Sequence, residues 1–221
     1  MGQLKIAIEQ VTPFQQNCAF IWDDETLHGV VIDPGGDVDR LLETAAATGI
    51  TVDRILLTHG HIDHAGGAAR LRDALSAKQA APVEIWGPDE RDRFLLDGLQ
   101  VTGEGYGITD ARAFLPDRWL AEGDRVEIAG HDFEVLHCPG HTPGHIVFVA
   151  RDLGFGIVGD VLFRGSVGRT DFPYGDSAAL LRSIREKLMV LDDRTVFICG
   201  HGARSTIGTE RQTNPFLVEG A

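Results

Sequence analysis

Short apolar runs of strand length recur along the chain and are separated by turns rich in Gly, Pro and Asp. Runs bounded in this way are typical of buried β-strands. They form two sets, and we expect two halves of the protein to join in the irregular, Gly-rich stretch at 100–118. The predicted strands are Leu4–Glu9, Asn17–Trp22, Val30–Asp33, Asp53–Thr58, Val83–Trp86, Arg125–Ile128, Phe133–Cys138, Ile146–Arg151, Gly156–Val161 and Thr195–Cys199.

Apolar residues spaced three and four positions apart predict helices between these strands. Strands in both halves, with helices after each set, predict an α/β protein in which two packed sheets are covered by helices. We expect residues 1–221 to form a single domain. The predicted helices are Val38–Ala47, Asp63–Ser76, Asp89–Leu99 and Ser177–Leu191, the last with the clearest apolar face.

Composition narrows the choice of partners and compartment. The 221 residues are 43% hydrophobic, and 20 Lys and Arg against 33 Asp and Glu give a net charge of -13. This charge repels nucleic-acid phosphates and anionic membranes, so we expect neither as a partner. The three cysteines form no C-x-x-C pair, which is typical of a reducing compartment, and no apolar segment predicts export or membrane insertion. A cytoplasmic protein is expected, as a monomer or a small homo-oligomer.

Three histidines and an aspartate crowd the segment T-H-G-H-I-D-H at 58–64. His59 and His61 lie two positions apart on an extended stretch, so their side chains point the same way and can chelate one ion. Asp63 and His64 open the following helix and can face a second ion. A lone histidine is usually satisfied by ordinary hydrogen bonds, but this density favours a metal site.

Three further ligands for a two-metal site lie near the ends of predicted strands. His141 lies in the segment H-C-P-G-H-T-P-G-H at 137–145, Asp160 near the end of one strand, and His201 just after the last. Asp160 could bridge both ions. Histidine and carboxylate ligands without thiolate suit zinc, iron or manganese. We therefore expect two divalent ions, with zinc as the first choice.

The order H-x-H-x-D-H, followed by the three later ligands, resembles the metallo-β-lactamase superfamily over essentially the whole chain. The resemblance implies a four-layer αβ/βα sandwich with the metals at one edge of the two sheets. It also assigns one set of ligands to each ion and one carboxylate to both. These are His59, His61 and His141 for the first ion, Asp63, His64 and His201 for the second, and Asp160 between them.

The segments GDVLFR at 159–164 and GRTDFP at 168–173 resemble glyoxalase II (hydroxyacylglutathione hydrolase), in particular its short single-domain bacterial branch. Zinc β-lactamases typically use other residues around the second metal, so Asp160 argues against antibiotic hydrolysis. The long form of glyoxalase II adds a helical domain that supplies part of the glutathione pocket. Only 20 residues follow His201, so we expect no such domain. The long form also has a Lys at Arg169 and a Tyr near Asp171, and this chain departs at both.

The resemblance implies hydrolysis of a small thioester, S-2-hydroxyacylglutathione (for example S-lactoylglutathione), to a hydroxy acid and glutathione. Two ions that share a water lower its pKa, present it as a metal-bound hydroxide to the carbonyl and stabilise the oxyanion. A thiolate whose conjugate pKa is about 8.5 leaves without strong acid help. Asp63 and Asp160 are the catalytic candidates, with Asp63 accepting or shuttling the proton.

Two other functions remain open at this stage. An iron-dependent persulfide dioxygenase on the same fold uses one iron and shares the run at 168–172. A metal-binding protein without hydrolase activity would have a degenerate site, and the complete set of seven ligands argues against it. Metal stoichiometry separates the first alternative from a two-metal hydrolase.

For residues outside the ligand set, a structural role is the alternative to each functional role. Arg169 is expected to bind the anionic end of the substrate, and a structural ion pair with Asp171 is the alternative. Asp33 and His145 are expected to support the ligands by hydrogen bonding, against the alternatives of a turn aspartate and a structural histidine. Cys138 has no identifiable His or Asn relay, so we expect a small buried residue and not a nucleophile.

Overall fold

The structure, a computed structural model, describes residues 2–218 and contains two β-sheets packed face to face. Neighbouring strands run antiparallel from the first to the third strand of the first sheet and parallel from the third to the fifth. The first sheet consists, in spatial order, of β1 (Leu4–Val11), β2 (Gln16–Asp23), β3 (His28–Ile32), β4 (Thr51–Leu56) and β5 (Glu84–Trp86).

The second half of the chain supplies the second sheet and a short hairpin. Its strands are β6 (Arg125–Ile128), β7 (His131–His137), β8 (Ile146–Ala150), β9 (Phe155–Gly159), β10 (Leu162–Phe163), β11 (Ser166–Val167), β12 (Val196–Cys199) and β13 (Ser205–Thr206). The sheet order is β13-β12-β9-β8-β7-β6, and β10 pairs with β11 alone. Strands β7, β9 and β12 point the same way, so their carboxyl ends meet at one edge.

Alternation along the strands places one side of each sheet in a shared core. In β2, Ala19 and Ile21 face the second sheet, whereas Cys18 and Phe20 face the helices on the other side. This period of two is the normal consequence of the pleat. Phe148 of β8 belongs to the same intersheet core.

Helices cover both outer faces and complete a four-layer αβ/βα sandwich, which confirms the predicted fold class. Helices α1 to α5 pack on the first sheet, and α6 and α7 pack on the second. They are α1 (Val38–Thr48), α2 (Ile62–Ala65), α3 (Ala68–Ser76), α4 (Arg93–Asp97), α5 (Leu99–Tyr106), α6 (Ser177–Ser183) and α7 (Ile207–Thr213).

All predicted strands are present, with ends that differ by at most two residues, but three helix predictions were wrong in detail. The helix predicted over Asp63–Ser76 is interrupted after α2, because Gly67 donates a backbone hydrogen bond to Pro34 instead of continuing the helix. The helix predicted over Asp89–Leu99 is a 3-10 turn, Glu90–Asp92, followed by α4. The one predicted over Ser177–Leu191 changes at Ile184 to a π-helical turn, Ile184–Leu188.

The stretch at 100–118, predicted to be irregular, is helical as far as Tyr106 because α5 continues through two glycines. A Cβ on Gly103 would lie 2.7 Å from the Ala111 side chain, so close packing overrides the low helix propensity of glycine here. The strands β10, β11 and β13 and helix α7 had no prediction. Within residues 2–218, no helix is long and apolar enough to cross a membrane.

The loop after β3 packs directly on the backbone of α2, so we predict that Gly35→Ala destabilises the fold. A Cβ on Gly35 would lie 1.5 Å from the carbonyl oxygen of Asp63. Overpacking of this kind costs about 1–3 kcal/mol. Thermal unfolding measures the loss as a lower Tm.

The matched control is Gly105→Ala, since a Cβ there meets nothing within 4 Å and the residue lies inside α5. This substitution should raise the stability by up to about 1 kcal/mol. Equal Tm values for the two variants would show that the contact between Gly35 and Asp63 is not as tight as described.

Candidate metal centre

Seven side chains from four strand ends meet at one edge of the sandwich. The segment after β4 carries four of them, and β7, β9 and β12 are each followed by one. The seven are His59, His61, Asp63, His64, His141, Asp160 and His201, and they form three overlapping groups whose ligand atoms lie within 4.8 Å of one another. The structure therefore brings together the whole predicted set.

The first group consists of three imidazoles whose nitrogens nearly touch. Nδ1 of His61 lies 3.1 Å from Nε2 of His59 and 2.9 Å from Nε2 of His141. Metal–nitrogen bonds of about 2.0–2.1 Å place neighbouring ligand atoms about 2.9–3.4 Å apart in octahedral or tetrahedral geometry. The three nitrogens have the spacing of ligands to one ion.

The second group combines a carboxylate with two imidazoles. Oδ2 of Asp63 lies 3.2 Å from Nε2 of His201 and 3.9 Å from Nε2 of His64. Asp160 lies between the two groups, with Oδ2 3.5 Å from Nε2 of His141 and 3.6 Å from Nε2 of His201. One carboxylate can therefore reach an ion at each group.

Hydrogen bonds on the outer side of the rings determine which nitrogen is free. Nδ1 of His141 lies 2.8 Å from the carbonyl oxygen of Arg169, and Nδ1 of His201 lies 3.1 Å from that of Phe14. A carbonyl oxygen only accepts, so both Nδ1 atoms carry the proton and both Nε2 atoms present a lone pair. His61 is turned the other way: its Nε2 lies 2.8 Å from the Tyr174 hydroxyl, which can accept a proton from it, and its Nδ1 faces the other two imidazoles.

Asp33 makes hydrogen bonds that can orient two of the candidate ligand histidines. Its Oδ2 accepts hydrogen bonds from Nδ1 of His64 at 2.9 Å and from Oγ1 of Thr58 at 2.7 Å. Because the Thr58 hydroxyl donates to Asp33, its oxygen accepts from Nδ1 of His59, 3.1 Å away. Nε2 of both histidines is thereby left to point into the site.

Two buried hydrogen-bond acceptors of the site lie close together and have no protein donor. Nε2 of His64 and Oδ1 of Asp160 are buried, have no hydrogen-bond partner within residues 2–218, and lie 3.4 Å apart. Two acceptors at this distance are stabilised by a positive charge between them, which either a proton on His64 or a metal ion can supply. A divalent ion bound by these atoms satisfies both, so the donor set fits a metal centre.

Burial and local charge set the protonation of the ligands. Burial lowers the pKa of His61 to about 3 and holds the pKa of His59 well below its usual range, so both rings are neutral ligands. Burial also disfavours charge on His64, but the carboxylates of Asp160, Asp63 and Asp33 outweigh it and raise the pKa of His64. A metal ion would displace a proton there.

His145 supports the site without pointing into it. Its ring stacks on His59 with centroids 4.5 Å apart, and its Nε2 accepts from the backbone N–H of Asp160 at 3.0 Å. Gly159, with φ of 48°, allows this approach, since a Cβ there would lie 2.6 Å from Oγ1 of Thr58 and 2.7 Å from the His145 ring.

Asp92 is a buried residue of the site that sequence reasoning missed. Its Oδ2 accepts from the backbone N–H of Gly60 at 2.9 Å and from Oγ1 of Thr142 at 2.7 Å, and its Oδ1 accepts from the N–H of Gly144 at 2.6 Å. Burial raises the pKa of Asp92 to about 6 against these hydrogen bonds. The carboxylate joins the loop of His59 and His61 to the loop of His141.

The loop at 168–175 contributes two aromatic side chains and one charged side chain to the lining of the site. The sequence comparison counted the Tyr near Asp171 of long-form glyoxalase II as missing here, but Tyr174 is such a residue. It hydrogen-bonds to His61 and stacks on Phe172 with centroids 5.3 Å apart. Arg169 makes a bidentate ion pair with Asp171, both distances 2.7 Å, and lies over the Phe172 ring. The structural ion pair weighed above is therefore formed.

A cavity of about 720 Å³ opens onto the metal centre. Five of the seven candidate ligands line it, namely His61, Asp63, His141, Asp160 and His201. Its remaining walls carry mostly aromatic and aliphatic side chains. A volume of this size is typical of pockets for small molecules.

Comparison with known proteins agrees with this geometry. A family model for the metallo-beta-lactamase superfamily matches residues 11–201. Hydroxyacylglutathione hydrolase GloC of Haemophilus influenzae is 47% identical over 215 residues, which cover 97% of this chain and 98% of that protein.

Solved structures are similar over nearly the whole chain. The B3 metallo-beta-lactamase BLEG-1 superposes with a TM-score of 0.86 at 33% identity, covering 96% of this chain and 99% of that one. TTHA1623 in a di-iron-bound form superposes with a TM-score of 0.82 at 36% identity, covering 96% and 100%. The chain belongs to the metallo-beta-lactamase superfamily. It is a metallohydrolase related to hydroxyacylglutathione hydrolase, with a His and Asp cluster able to bind metal ions.

We predict that Asp92→Asn weakens metal binding by His59, His61 and His141 about 10–100-fold. The amide turns one acceptor into a donor that faces an N–H or O–H group, so the two loops lose their common anchor. Titration of the metal-free protein with Co²⁺, followed by its visible absorption, measures both affinity and ligand geometry.

Asp97→Asn is the control, because Asp97 is exposed and only pairs with Arg93 on the surface at 3.7 Å. Its Co²⁺ spectrum and affinity should match the wild type. An unchanged spectrum for Asp92→Asn would mean that the buried carboxylate does not position the ligands.

Proposed function

We propose that the protein is a thioester hydrolase of the glyoxalase II type, which cleaves S-2-hydroxyacylglutathione such as S-lactoylglutathione to a hydroxy acid and glutathione. The observation that carries the proposal is the convergence of seven ligand side chains at the mouth of one cavity. The 47% identity to hydroxyacylglutathione hydrolase GloC supports the choice of substrate.

We assign two divalent ions to the site, with zinc as the first candidate and iron or manganese as alternatives. His59, His61 and His141 would hold one ion, Asp63, His64 and His201 the other, and Asp160 both. When bound, such ions acidify a water and stabilise negative charge on a carbonyl oxygen. The di-iron form of TTHA1623 keeps iron among the candidates.

Asp63 is the residue that moves the proton. Its Oδ2 faces the ring nitrogen of His201 at 3.2 Å, so Oδ1 is the atom that takes the proton from the attacking water. The water oxygen bonds to the thioester carbon, and the carbon–sulfur bond breaks. The sulfur leaves as thiolate and recovers the proton from Asp63 or from solvent, which balances the reaction.

A thioester suits this cavity because its leaving group needs no strong acid. A thiolate with a conjugate pKa of about 8.5 departs unaided, whereas an amine must be protonated. Tyr174 lines the cavity, but burial and the nearby Asp92 raise its pKa to about 12, so it keeps its proton. β-Lactam hydrolysis is the second candidate function, because the chain is 33% identical to BLEG-1. It suits this site less well, since its amine leaving group must be protonated.

The three cysteines are poor nucleophiles, which supports direct attack by water. Burial raises the pKa of Cys138 to about 12 and that of Cys199 to about 11. Burial also raises the pKa of Cys18. Thiols with such pKa values are protonated at neutral pH and do not attack carbonyls.

The test is thiol release from a panel of thioesters by the metal-loaded protein and by its Asp160→Ala variant. S-lactoylglutathione should be hydrolysed, and chelation should abolish the activity. Asp160→Ala should lose at least about a hundredfold in kcat and bind both ions more weakly, because one carboxylate serves both groups.

Asp152→Ala is the matched control, since Asp152 is exposed in the turn between β8 and β9. It should retain wild-type turnover and metal content. A β-lactam and a glutathione persulfide complete the panel as competing substrates. Turnover of either one with no thiol release from any thioester would overturn the proposal.

We also predict that Cys138→Ala retains kcat/KM within about threefold, because water and not the buried thiol attacks the substrate. Rapid mixing with S-lactoylglutathione should show no burst of thiol in either protein. A burst in the wild type that disappears in the variant would contradict this mechanism.

A further inference from the structure

One side of the cavity is an apolar wall formed by the turn between β1 and β2 and by helices α2, α4 and α5. None of its six side chains is charged. Its members are Phe14, Ile62, Leu95, Leu99, Thr102 and Tyr106. This wall comes from the first half of the chain, whereas all three candidate metal ligands outside the segment at 59–64 come from the second half.

Two aromatic rings stand at the outer end of the apolar wall. Phe14 and Tyr106 meet edge to face with centroids 5.1 Å apart, and they remain 40% and 56% exposed. Leu99 and Ile62 lie deeper and are buried. Exposed aromatic side chains at the mouth of a cavity mark ligand contacts, because a ligand covers surface that otherwise faces water.

The lining formed by residues 163–174 differs from the apolar wall in carrying one charged side chain, beside the apolar Phe163, Val167 and Phe172. Arg169 is the only Lys or Arg among the cavity-lining residues that the structure describes, and Ser166 adds a hydroxyl on the same side. Arg169 keeps its guanidinium at the surface, where Asp171 already engages it. An anionic group can share this cation, whereas the apolar wall carries no charged side chain to pair with it.

We propose that the acyl group of the substrate lies on the apolar wall, against Phe14 and Tyr106, and that the enzyme prefers aryl or branched acyl groups to the lactoyl group. The proposal rests on the proposed function for the thioester itself. A thioester carries an acyl group on one side of its carbonyl and the thiol-derived group on the other, and the carbonyl lies at the metal centre. The anionic glutathione part would lie near Arg169, and the acyl group would lie on the apolar wall.

Non-hydrolysable ligands test the apolar wall separately from turnover. The affinities of S-benzylglutathione and S-methylglutathione for the metal-loaded protein are measured by calorimetry. The benzyl compound should bind at least about tenfold more tightly, which corresponds to about 1.4 kcal/mol, because a ring adds apolar surface that the wall covers. In kinetics, kcat/KM for S-mandeloylglutathione should exceed that for S-lactoylglutathione by a similar factor.

Two variants locate the preference and one controls for it. Tyr106→Ala and Phe14→Ala should each reduce the benzyl-to-methyl affinity ratio at least about threefold, with Tm showing that both proteins fold. Val101→Ala is the matched control on α5, since Val101 is 77% exposed and outside the cavity lining. It should leave both affinities and both rates unchanged.

The outcomes separate this inference from the proposed function. Equal affinities of the two thioethers, or a ratio that both cavity variants preserve, would overturn the acyl assignment even if thioesters are hydrolysed. A benzyl preference that falls in Tyr106→Ala supports the apolar wall as a ligand site. If no thioester is hydrolysed in that case, the apolar wall remains a ligand site and the proposed function is overturned.

Discussion

The geometry of the site depends on five imidazoles whose lone pairs point inward. Each of them needs a hydrogen-bond acceptor on its outer side. Each buried ring has a second nitrogen that carries a proton, and burial forces that N–H group to find an acceptor. The acceptors come from distant parts of the chain, including the carbonyls of Phe14 and Arg169 and the carboxylate of Asp33. The loops that shape the cavity are thus tied to the metal centre.

Two buried carboxylates hold the segment after β4 from opposite directions. Asp33 binds Thr58 and His64, and Asp92 binds Gly60 while also holding the loop of His141. Hydrogen bonds to charged groups contribute about 1.5–3 kcal/mol each when both partners are present. Such bonds keep the ligand nitrogens at bonding distance for an ion and give the site its geometry before any ion arrives.

The convergence of the seven candidate ligands was predictable from sequence because they lie in short motifs directly after apolar strands. Asp92 and Tyr174 were not, since their contacts join residues 32 to 113 positions apart and no local pattern marks them. Helix α5 was missed because its glycines have low propensity, while packing against Ala111 keeps it helical. Arg169 was singled out for its charge, but its ion pair with Asp171 becomes visible only in three dimensions.

We propose that one chain presents two complete sets of metal ligands sharing Asp160. Elemental analysis of the purified protein, followed by calorimetric titration of the metal-free form with Zn²⁺, measures this most directly. We expect two equivalents of divalent metal per chain, and about one equivalent fewer, or much weaker binding, when His201 is replaced by alanine. A single equivalent per chain, with the group of Asp63, His64 and His201 left without metal at saturation, would contradict it.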